Sequence, residues 1–295
     1  MTRCRTGLTS DEQAPLLERL DLERLEPLTF RSRVGAPERL RLYGGEVAAQ
    51  AVMAAAATVP PDRRMHSLHA HYLDAGDSRL PVLYRVRVAR DGRSFSSRSV
   101  EAFQDGRQIF ALSASFQCEQ DGLSHQLPAD CPGVDLPGPE DCGTGNEPLR
   151  AWADGVMTRL PVELRFVDDG PLLDSSLGVA PRIRAYFRVR GSLPDDLPVH
   201  EAGLTYLSDL LMISAALVPH KLSIHDPRLF TATITHSVWL HAPLRADAWQ
   251  LYDVEGSWAG GGRTLSRGRV YDADGFLCAT TSQEGLARYS PHEAA

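Results

Sequence analysis

The 295-residue sequence predicts an α+β protein that contains two copies of one unit. Three observations predict this: short anchors recur in the same order, each set follows an apolar run, and each set ends in alternating strand patterns. The recurring pairs are His66-Ser67 and His236-Ser237, Gly92-Arg93 and Gly262-Arg263, both 170 residues apart, and Asp105-Gly106 and Asp274-Gly275, 169 residues apart. Such ordered recurrence at nearly one spacing indicates a duplicated supersecondary unit.

The first copy opens with a predicted helix over residues 44–59, which is apolar on nearly every side and is followed by Pro60-Pro61. Proline stops a helix because it lacks the N–H and clashes with the preceding turn. A helix without a polar face has to be covered on all sides. We therefore expect this helix to lie at the centre of its unit.

The strands of the first copy are predicted from period-two patterns. Apolar residues alternate with arginines from Tyr84 to Val88, which indicates one buried and one solvated face. Residues 94–103 and 108–117 flank the turn at Asp105-Gly106, and Asp-Gly is a preferred hairpin turn. We expect an antiparallel hairpin that ends near Gln117, which we match to Gln283 in the second copy.

A segment rich in Pro, Gly, Asp and Glu follows from residue 118 to about residue 152, with little periodicity. Such composition is typical of a connection rather than of a packed element. We therefore divide the chain into a first repeat over residues 1–120, a linker over residues 121–160 and a second repeat over residues 161–295.

The second copy repeats the pattern of the first. A predicted strand alternates from Ile183 to Arg190, and a second apolar helix runs from His200 to about Leu217, before Pro219. The later predicted strands are residues 230–241, 250–257, 264–271 and 275–283. A sheet that curls around each helix satisfies this pattern, and pairing the two sheets edge to edge removes two exposed edges.

Composition excludes several classes of partner. The formal net charge of −7 predicts neither nucleic acid nor an anionic membrane surface as a partner. The five cysteines form no Cys-x-x-Cys pair, which favours reduced thiols over a disulfide framework. The N-terminus has no apolar signal region, and no run approaches the roughly 18 apolar residues of a membrane span. We expect a cytoplasmic protein.

Three polar residues are candidates for chemistry, although each has an ordinary structural explanation. Asp209 falls within the second apolar helix, where a carboxylate is either hydrogen-bonded locally, turned to solvent or functional. Thr233 lies in a strand with threonines at period two, which packing alone explains. Gln283 lies near the end of the last predicted strand. The residues alone leave these alternatives open.

Other catalytic patterns are missing from the sequence. His66, His69 and His71 cluster, but no cysteine or acidic residue stands nearby at ligand spacing, so we predict no metal site. The sequence contains no Gly-x-Ser-x-Gly elbow, phosphate-binding loop or dinucleotide fingerprint. We expect no bound cofactor.

Seven stretches in order resemble the acyl-CoA thioesterase II family, and the resemblance extends from about residue 16 to residue 289. The stretches are Tyr43–Ala51, His66–Leu73, Arg90–Arg98, Gly191–Asp196, Ser208-Asp209, Ala232–Ser237 and Ser282–Gly285. The resemblance implies a double hot-dog fold, in which two tandem antiparallel sheets each wrap around a buried central helix. It also implies that homodimers or homotetramers form.

The family's catalytic aspartate, threonine and glutamine fall on Asp209, Thr233 and Gln283. The resemblance implies hydrolysis of acyl-CoA to a free carboxylic (fatty) acid and coenzyme A, which is part of the substrate rather than a cofactor. In this reaction Asp209 is the expected general base. Thr233 and Gln283 are expected to position the water.

Two glycines at the start of the first helix are candidates for stabilising the oxyanion. Glycine lets the backbone approach a ligand closely, and a helix N-terminus favours negative charge. We therefore expect the N–H groups of Gly44 and Gly45 to contact the developing oxyanion. The alternative is that both glycines only form the turn into the helix.

Three residues depart from the family pattern. Asp74 replaces a basic residue, Glu46 replaces a glutamine, and Leu211 stands where a polar residue is frequent. These changes predict an altered preference for the acyl group or the carrier, which is either coenzyme A or acyl carrier protein.

Two other functions remain open. The first is a hot-dog hydratase or dehydratase, which normally pairs an acid with a histidine on the active helix, whereas His200 lies nine residues before Asp209. The second is a non-catalytic acyl-thioester binding protein, for which the substitution at Asp74 leaves room.

Overall fold

Twelve antiparallel strands form one continuous sheet in the computed structural model, which describes residues 15–33, 41–126, 136–145, 149–167 and 181–290. The strands are β1 (Leu22–Glu26), β2 (Thr29–Ser32), β3 (Arg63–Tyr72), β4 (Leu83–Asp91), β5 (Phe95–Gln104), β6 (Arg107–Cys118), β7 (Val162–Phe166), β8 (Arg182–Val189), β9 (Leu229–Leu240), β10 (Gln250–Gly260), β11 (Arg263–Tyr271) and β12 (Leu277–Tyr289). Their order is β1-β2-β4-β5-β6-β3-β9-β12-β11-β10-β8-β7. Each half of the chain therefore builds one half of the sheet.

Two buried helices lie at the centre of the fold, as the sequence predicts. The helices are α1 (Leu16–Leu20), α2 (Gly44–Ala56), α3 (Leu149–Arg159), α4 (Leu197–Ser208) and α5 (Met212–Leu217). Helix α2 packs on β4, β5 and β6, α4 packs on β3 and β8, and α2 and α4 contact each other directly. Because alanine and glycine make up most of α2, its neighbours approach its backbone closely.

The second apolar segment, which contains α4 and α5, is mostly buried inside the protein. Residues Leu197–His220 are long and apolar enough to cross a membrane by composition, and 78% of their most apolar window is buried inside the protein. Every residue from Val199 to Ser208 is buried. The apolar composition is therefore accounted for by the core.

The two halves of the sheet meet at β3 and β9, and their pairing confirms the internal repeat. Ser67 pairs with Trp239, and His69 pairs with Ser237. Ser67 stands 170 positions before Ser237, and His69 stands 170 positions before Trp239. A local two-fold axis between β3 and β9 therefore exchanges the two halves. Joining the halves in this way removes two exposed sheet edges.

The segment predicted as a linker over residues 121–160 contains a helix that the sequence reading missed. Helix α3 contacts β7, and the ring of Trp152 packs edge-on against Phe166 with centroids 6.3 Å apart. Trp152, Ala153 and Val156 are buried, so this part of the connection belongs to the folded core.

A buried carboxyl group on α4 makes stability depend on pH. Glu201 is 4% exposed, and its Oε1 accepts a hydrogen bond from the Met65 N–H at 3.2 Å. Burial raises the pKa of Glu201 to about 8, against the lowering effects of that hydrogen bond and of Arg64. The folded protein therefore binds the Glu201 proton more tightly than the unfolded chain, in which the pKa is near 4.5.

We expect the stability that this proton contributes to be complete below about pH 4.5 and to be lost as pH rises to about 8. Relative to Glu201→Gln, the free energy of unfolding of the wild type should fall by up to about 1.4 kcal/mol per pH unit. Urea titrations of both proteins between pH 5 and pH 9 measure this difference in the free energy of unfolding. Titratable groups that both proteins share cancel from the difference. If the free energies of unfolding of the two proteins changed in parallel with pH, Glu201 would ionise in the folded protein without a loss of stability.

Candidate active site

A cavity of about 730 Å³ lies where the two halves meet, beside the first turn of α2 and the end of α4. Most of its wall is apolar, and the carboxyl of Asp209 and the hydroxyl-bearing Thr233 are among its lining residues. The apolar wall includes Leu42, Val47, Tyr72, Ile109, Phe110, Trp152, Val156, Leu160, Leu211, Ile213, Ile224 and Leu286. An apolar cavity with few convergent polar groups is typical of a small-molecule site.

A break in the second helical segment presents Asp209 to this cavity. The single helix predicted from His200 to Leu217 is instead two helices, because α4 ends at Ser208 and α5 begins at Met212. Leu211 has φ +68°, a left-handed conformation that costs a non-glycine residue roughly 1–2 kcal/mol. Its side chain is only 3% exposed, so packing in the core offsets the strain.

Side chains from the sheet hold the broken helix in place. The Tyr252 hydroxyl donates to the Ser208 carbonyl oxygen at 2.9 Å, and the Ser266 hydroxyl donates to the Met212 carbonyl oxygen at 2.7 Å. The first bond gives a partner to a carbonyl oxygen at the C-terminal end of α4, where the last carbonyl groups have none within the helix, and the second holds the start of α5. Asp209 therefore lies at a fixed position at the end of α4.

The carboxylate of Asp209 accepts hydrogen bonds from three elements, and the three predicted catalytic residues lie together. Gln283 Nε2 donates to Oδ1 at 2.6 Å, and the Thr233 hydroxyl donates to the same oxygen at 3.1 Å. The Gly45 N–H, from the other half of the chain, donates to Oδ2 at 3.0 Å. Hydrogen bonds to a charged acceptor are stronger than neutral ones, so this arrangement fixes the orientation of the carboxylate.

The positions of Thr233 and Gln283 relative to the cavity differ. Thr233 lines the cavity. Gln283 is 2% exposed and is not one of the described residues that line the cavity. In this geometry Gln283 contacts the carboxylate from behind. We therefore expect Gln283 to orient Asp209 rather than to hold the water itself.

Gly45 has a different role from the one that the sequence predicts. Its N–H, expected to contact an oxyanion, donates to Asp209 instead. A Cβ atom at Gly45 would lie 2.5 Å from the Tyr206 carbonyl oxygen and 2.7 Å from the Tyr43 ring. Glycine is therefore needed here because α2 and α4 approach each other closely. Gly44 lines the cavity, and its oxyanion role stays a prediction.

Two tyrosines hold the first turn of α2 over Asp209. The Tyr43 hydroxyl donates to the Tyr206 carbonyl oxygen at 2.8 Å, and the Tyr72 hydroxyl donates to the Gly44 carbonyl oxygen at 3.0 Å. Burial, followed by the charge of Asp209, raises the pKa of both phenols well above the usual value. Both therefore stay neutral and act as hydrogen-bond donors.

The equivalent positions in the first half of the chain carry different residues. The sheet register pairs Ser67 with Ser115 and Ser237 with Ser282, so Phe116 rather than Gln117 is the equivalent of Gln283. The match of Gln117 to Gln283 in the sequence analysis was therefore wrong by one residue. Arg63 stands 170 positions before Thr233. The side chains that donate to Asp209 are thus specific to the second half.

The three departures from the family pattern have separate structural settings. The Asp74 carboxylate lines the cavity and pairs with the Arg107 guanidinium. Leu211 adds to the apolar wall. Glu46 is buried and pairs with Arg19 at 2.7 Å, which ties α1 to α2 away from the cavity. Of the three, Asp74 and Leu211 are placed to affect a ligand.

The clustered histidines on β3 make local hydrogen bonds. His66 Nε2 lies 2.8 Å from the Ser115 hydroxyl, and His69 Nδ1 lies 3.0 Å from the Ser237 hydroxyl. Within the described parts of the chain, no group of three or more His, Cys, Asp or Glu side chains is arranged to hold a metal ion.

Sequence reasoning missed one buried residue beside the site. His236 is fully buried, and its Nδ1 lies 3.3 Å from Gln283 Nε2. In the sequence, His236 recurs with His66 at the repeat spacing. That recurrence identifies His236 only as a marker of the repeat.

Comparison with known proteins matches both halves of the chain to acyl-CoA thioesterase domains. The family profile for the acyl-CoA thioesterase N-terminal domain matches residues 34–117, and that for the C-terminal domain matches residues 128–287. Human acyl-coenzyme A thioesterase 8 is 38% identical over 92% of this chain and 88% of its own length.

Solved structures extend the similarity to the fold. The acyl-CoA thioesterase II TesB2 from Mycobacterium marinum is 38% identical, with a TM-score of 0.78 over 93% of this chain and 98% of its own. A conserved protein with a hot dog fold from Alicyclobacillus acidocaldarius is 19% identical, with a TM-score of 0.72 over 92% of this chain and 97% of its own, and shows the fold alone. The chain thus belongs to the acyl-CoA thioesterase II family and is a thioester hydrolase with a double hot-dog fold.

Proposed function

We propose that the chain hydrolyses acyl-CoA thioesters by direct attack of a water molecule that Asp209 deprotonates. The observation that carries the proposal is the Asp209 carboxylate at the apolar cavity, held by Gln283, Thr233 and Gly45. A positioned general base accelerates proton transfer by roughly 10² to 10⁴. Oδ1 accepts two of these hydrogen bonds, whereas Oδ2 accepts one and keeps a lone-pair site that can take up a proton.

The reaction balances with this set of residues. The water oxygen bonds to the acyl carbon while its proton passes to Asp209, and the carbonyl oxygen becomes an oxyanion. The bond from carbon to sulfur then breaks, and the coenzyme A thiolate leaves and takes the proton from Asp209, which restores the carboxylate. A thiolate is a good leaving group, so the step requires neither a strong general acid nor a covalent nucleophile.

Each residue has a separate part in this reaction. Thr233 lines the cavity and is placed to contact the water as well as the carboxylate. Gln283 positions the carboxylate from behind. The N–H of Gly44, the first residue of α2, is the candidate donor to the oxyanion, because the first N–H groups of a helix have no partner within it.

Cationic groups at the exposed side of the cavity suit the phosphates of coenzyme A. Arg41 and Arg159 line the cavity and are exposed, and the Arg41 guanidinium stacks 4.9 Å above the Phe230 ring centroid. Asp74, the acidic departure, is neutralised by Arg107. Arginine forms bidentate hydrogen bonds with phosphate, so we assign Arg41 and Arg159 to the carrier end of the substrate.

The double variant Arg41→Ala/Arg159→Ala should raise KM for acyl-CoA by about tenfold or more, since hydrogen bonds to charged groups contribute about 1.5–3 kcal/mol. KM for the matching acyl-pantetheine, which lacks the nucleotide and its phosphates, should stay within about twofold, with kcat unchanged for both substrates. Arg87→Ala, on the exposed face of β4, is the matched control. Equal increases in KM for both thioesters would place the phosphates elsewhere.

The experiment that tests the proposed function is thiol release from acyl-CoAs of increasing chain length. Hydrolysis predicts equal amounts of free thiol and carboxylic acid. A hydratase or dehydratase would convert enoyl-CoA and hydroxyacyl-CoA without releasing thiol. A binding protein would retain acyl-CoA unchanged. Either of the last two results would overturn the proposal.

A further inference from the structure

We propose that His236 is a positioning residue of this active site, whose neutral ring fixes the Gln283 amide so that it donates to Asp209. The inference rests on the proposed role of Asp209. His236 lies on β9, directly opposite Gln283 on β12 in the sheet register. It is 0% exposed and is not one of the described residues that line the cavity, so it acts through Gln283 rather than on the substrate.

The hydrogen bonds around His236 determine which ring nitrogen carries the proton. The Ser208 hydroxyl lies 3.1 Å from the Thr205 carbonyl oxygen, which can only accept, so the serine proton points there. The Ser208 oxygen then accepts from His236 Nε2, 2.8 Å away. With its proton on Nε2, the ring offers Nδ1 as an acceptor.

That acceptor determines the orientation of the Gln283 amide. Gln283 Nε2 lies 3.3 Å from His236 Nδ1 and 2.6 Å from Asp209 Oδ1. Its two N–H bonds are therefore used by two acceptors, one on the histidine and one on the carboxylate. A rotated amide would turn its oxygen toward both acceptors, which is repulsive. The ring thus favours the only orientation in which Gln283 supports Asp209.

The neutral state of the ring is part of this arrangement. Burial lowers the pKa of His236, although the nearby charge of Asp209 opposes that effect. A protonated ring would carry hydrogen on both nitrogens and would no longer accept from Gln283. Tyr43 and Tyr72 also lie near Asp209, and burial keeps both neutral, so Asp209 is the charged group to which the ring responds.

The internal repeat provides a natural comparison. His66 stands 170 positions before His236, but an irregularity in the register places Met65 opposite Phe116, and His66 Nε2 lies 2.8 Å from the Ser115 hydroxyl. Phe116 stands in place of Gln283 there, so the ring has no amide to orient. The histidine thus recurs in the sequence of both halves, and only in the second half does it lie opposite a glutamine that contacts a carboxylate.

The kinetic test compares two substitutions at His236 with one at His66. His236→Leu removes the acceptor and should lower kcat for acyl-CoA hydrolysis by about 10- to 100-fold while KM changes less than about threefold, because a displaced catalytic group can lose about 10² in rate. His236→Asn, whose Oδ1 can replace Nδ1 as acceptor, should recover most of that loss. His66→Leu should leave kcat within about twofold of the wild type.

A thermodynamic cycle separates positioning from a general loss of structure. In a Gln283→Ala background, His236→Leu should produce little further loss of kcat, because the amide that it orients is gone. Equal losses in His236→Leu and His236→Asn, or fully additive losses with Gln283→Ala, would overturn the proposal.

Nitrogen NMR of the imidazole gives a readout that does not depend on turnover or on a variant that folds. Wild-type His236 should show the neutral Nε2–H tautomer from about pH 5.5 to pH 8. An Nδ1–H tautomer, or protonation near the ordinary pKa of histidine, would contradict the proposal even if the enzyme is active. Absence of thiol release from the wild type would instead count against the proposed function, and the tautomer would still decide the orientation of Gln283.

Discussion

Asp209→Asn is expected to lower kcat for acyl-CoA hydrolysis by about 10² to 10⁴, which is the usual contribution of a positioned general base. The asparagine amide accepts no proton at neutral pH. It also has a single oxygen, whereas the carboxylate uses Oδ1 for Gln283 and Thr233 and Oδ2 for Gly45. One set of donors therefore faces an NH₂ group in the variant, so orientation is lost together with basicity.

Binding should change far less than turnover in this variant. The cavity wall is mostly apolar, and the substitution leaves the cations Arg41 and Arg159 unchanged. We expect the Kd of a non-hydrolysable acyl-CoA thioether to stay within about threefold, since the general base acts only on the transition state. Calorimetric titration measures that Kd. Asp21→Asn, on a surface carboxylate that pairs with Arg33, is the matched control. Full activity in Asp209→Asn would remove Asp209 from the mechanism.

Alanine substitutions at the two adjacent glycines of α2 are both expected to lower activity, but only the one at Gly45 should lower stability. Gly45→Ala places a Cβ atom 2.5 Å from the Tyr206 carbonyl oxygen, which is backbone and cannot move aside. Overpacking of this kind typically costs about 1–3 kcal/mol, so Tm and expression should fall together with activity. The loss reports on helix packing rather than on oxyanion binding.

Gly44→Ala should instead keep the fold and lose activity. Its Cβ would lie 2.9 Å from Asp209 Oδ2 and 3.1 Å from the Tyr72 ring, and both are side chains that can shift. Alanine also favours the helix by about 1 kcal/mol over glycine, which offsets part of the strain. We expect Tm within a few degrees of the wild type and kcat lowered at least about tenfold, since the carboxylate is displaced. Thermal unfolding and thiol release measure both variants. Equal effects on Tm would refute this account of the helix contact.

Much of the fold is predictable from the sequence because it depends on local periodicity and repetition. The apolar run from residue 44 predicts a buried helix, and the recurrence of His66 at His236 predicts that the halves are related. The pairing of β3 with β9 then follows the same spacing. Helix α3 was missed because the composition of residues 118–152 is typical of a connection, although Trp152 packs in the core.

The details of the site depend on long-range geometry that local patterns do not contain. Leucine is a good helix former, so nothing in the residues around Leu211 predicts a left-handed conformation there, and the break at Asp209 was missed. The contact between Gly45 and Asp209 joins residues 164 positions apart. The family resemblance identified Asp209, Thr233 and Gln283 as candidate catalytic residues. The role proposed for His236 depends on its distance to Gln283, which the sequence does not contain.

The most direct test of direct water attack is a single turnover with enzyme in excess over acyl-CoA, in which thiol and carboxylic acid are measured separately after rapid mixing. Water activated by Asp209 predicts that both products appear with the same rate constant, because no acyl-enzyme accumulates. A burst of thiol ahead of the acid would show a covalent intermediate, and no thiol at all would show that the chain does not hydrolyse its ligand. Either result would contradict the mechanism proposed for Asp209.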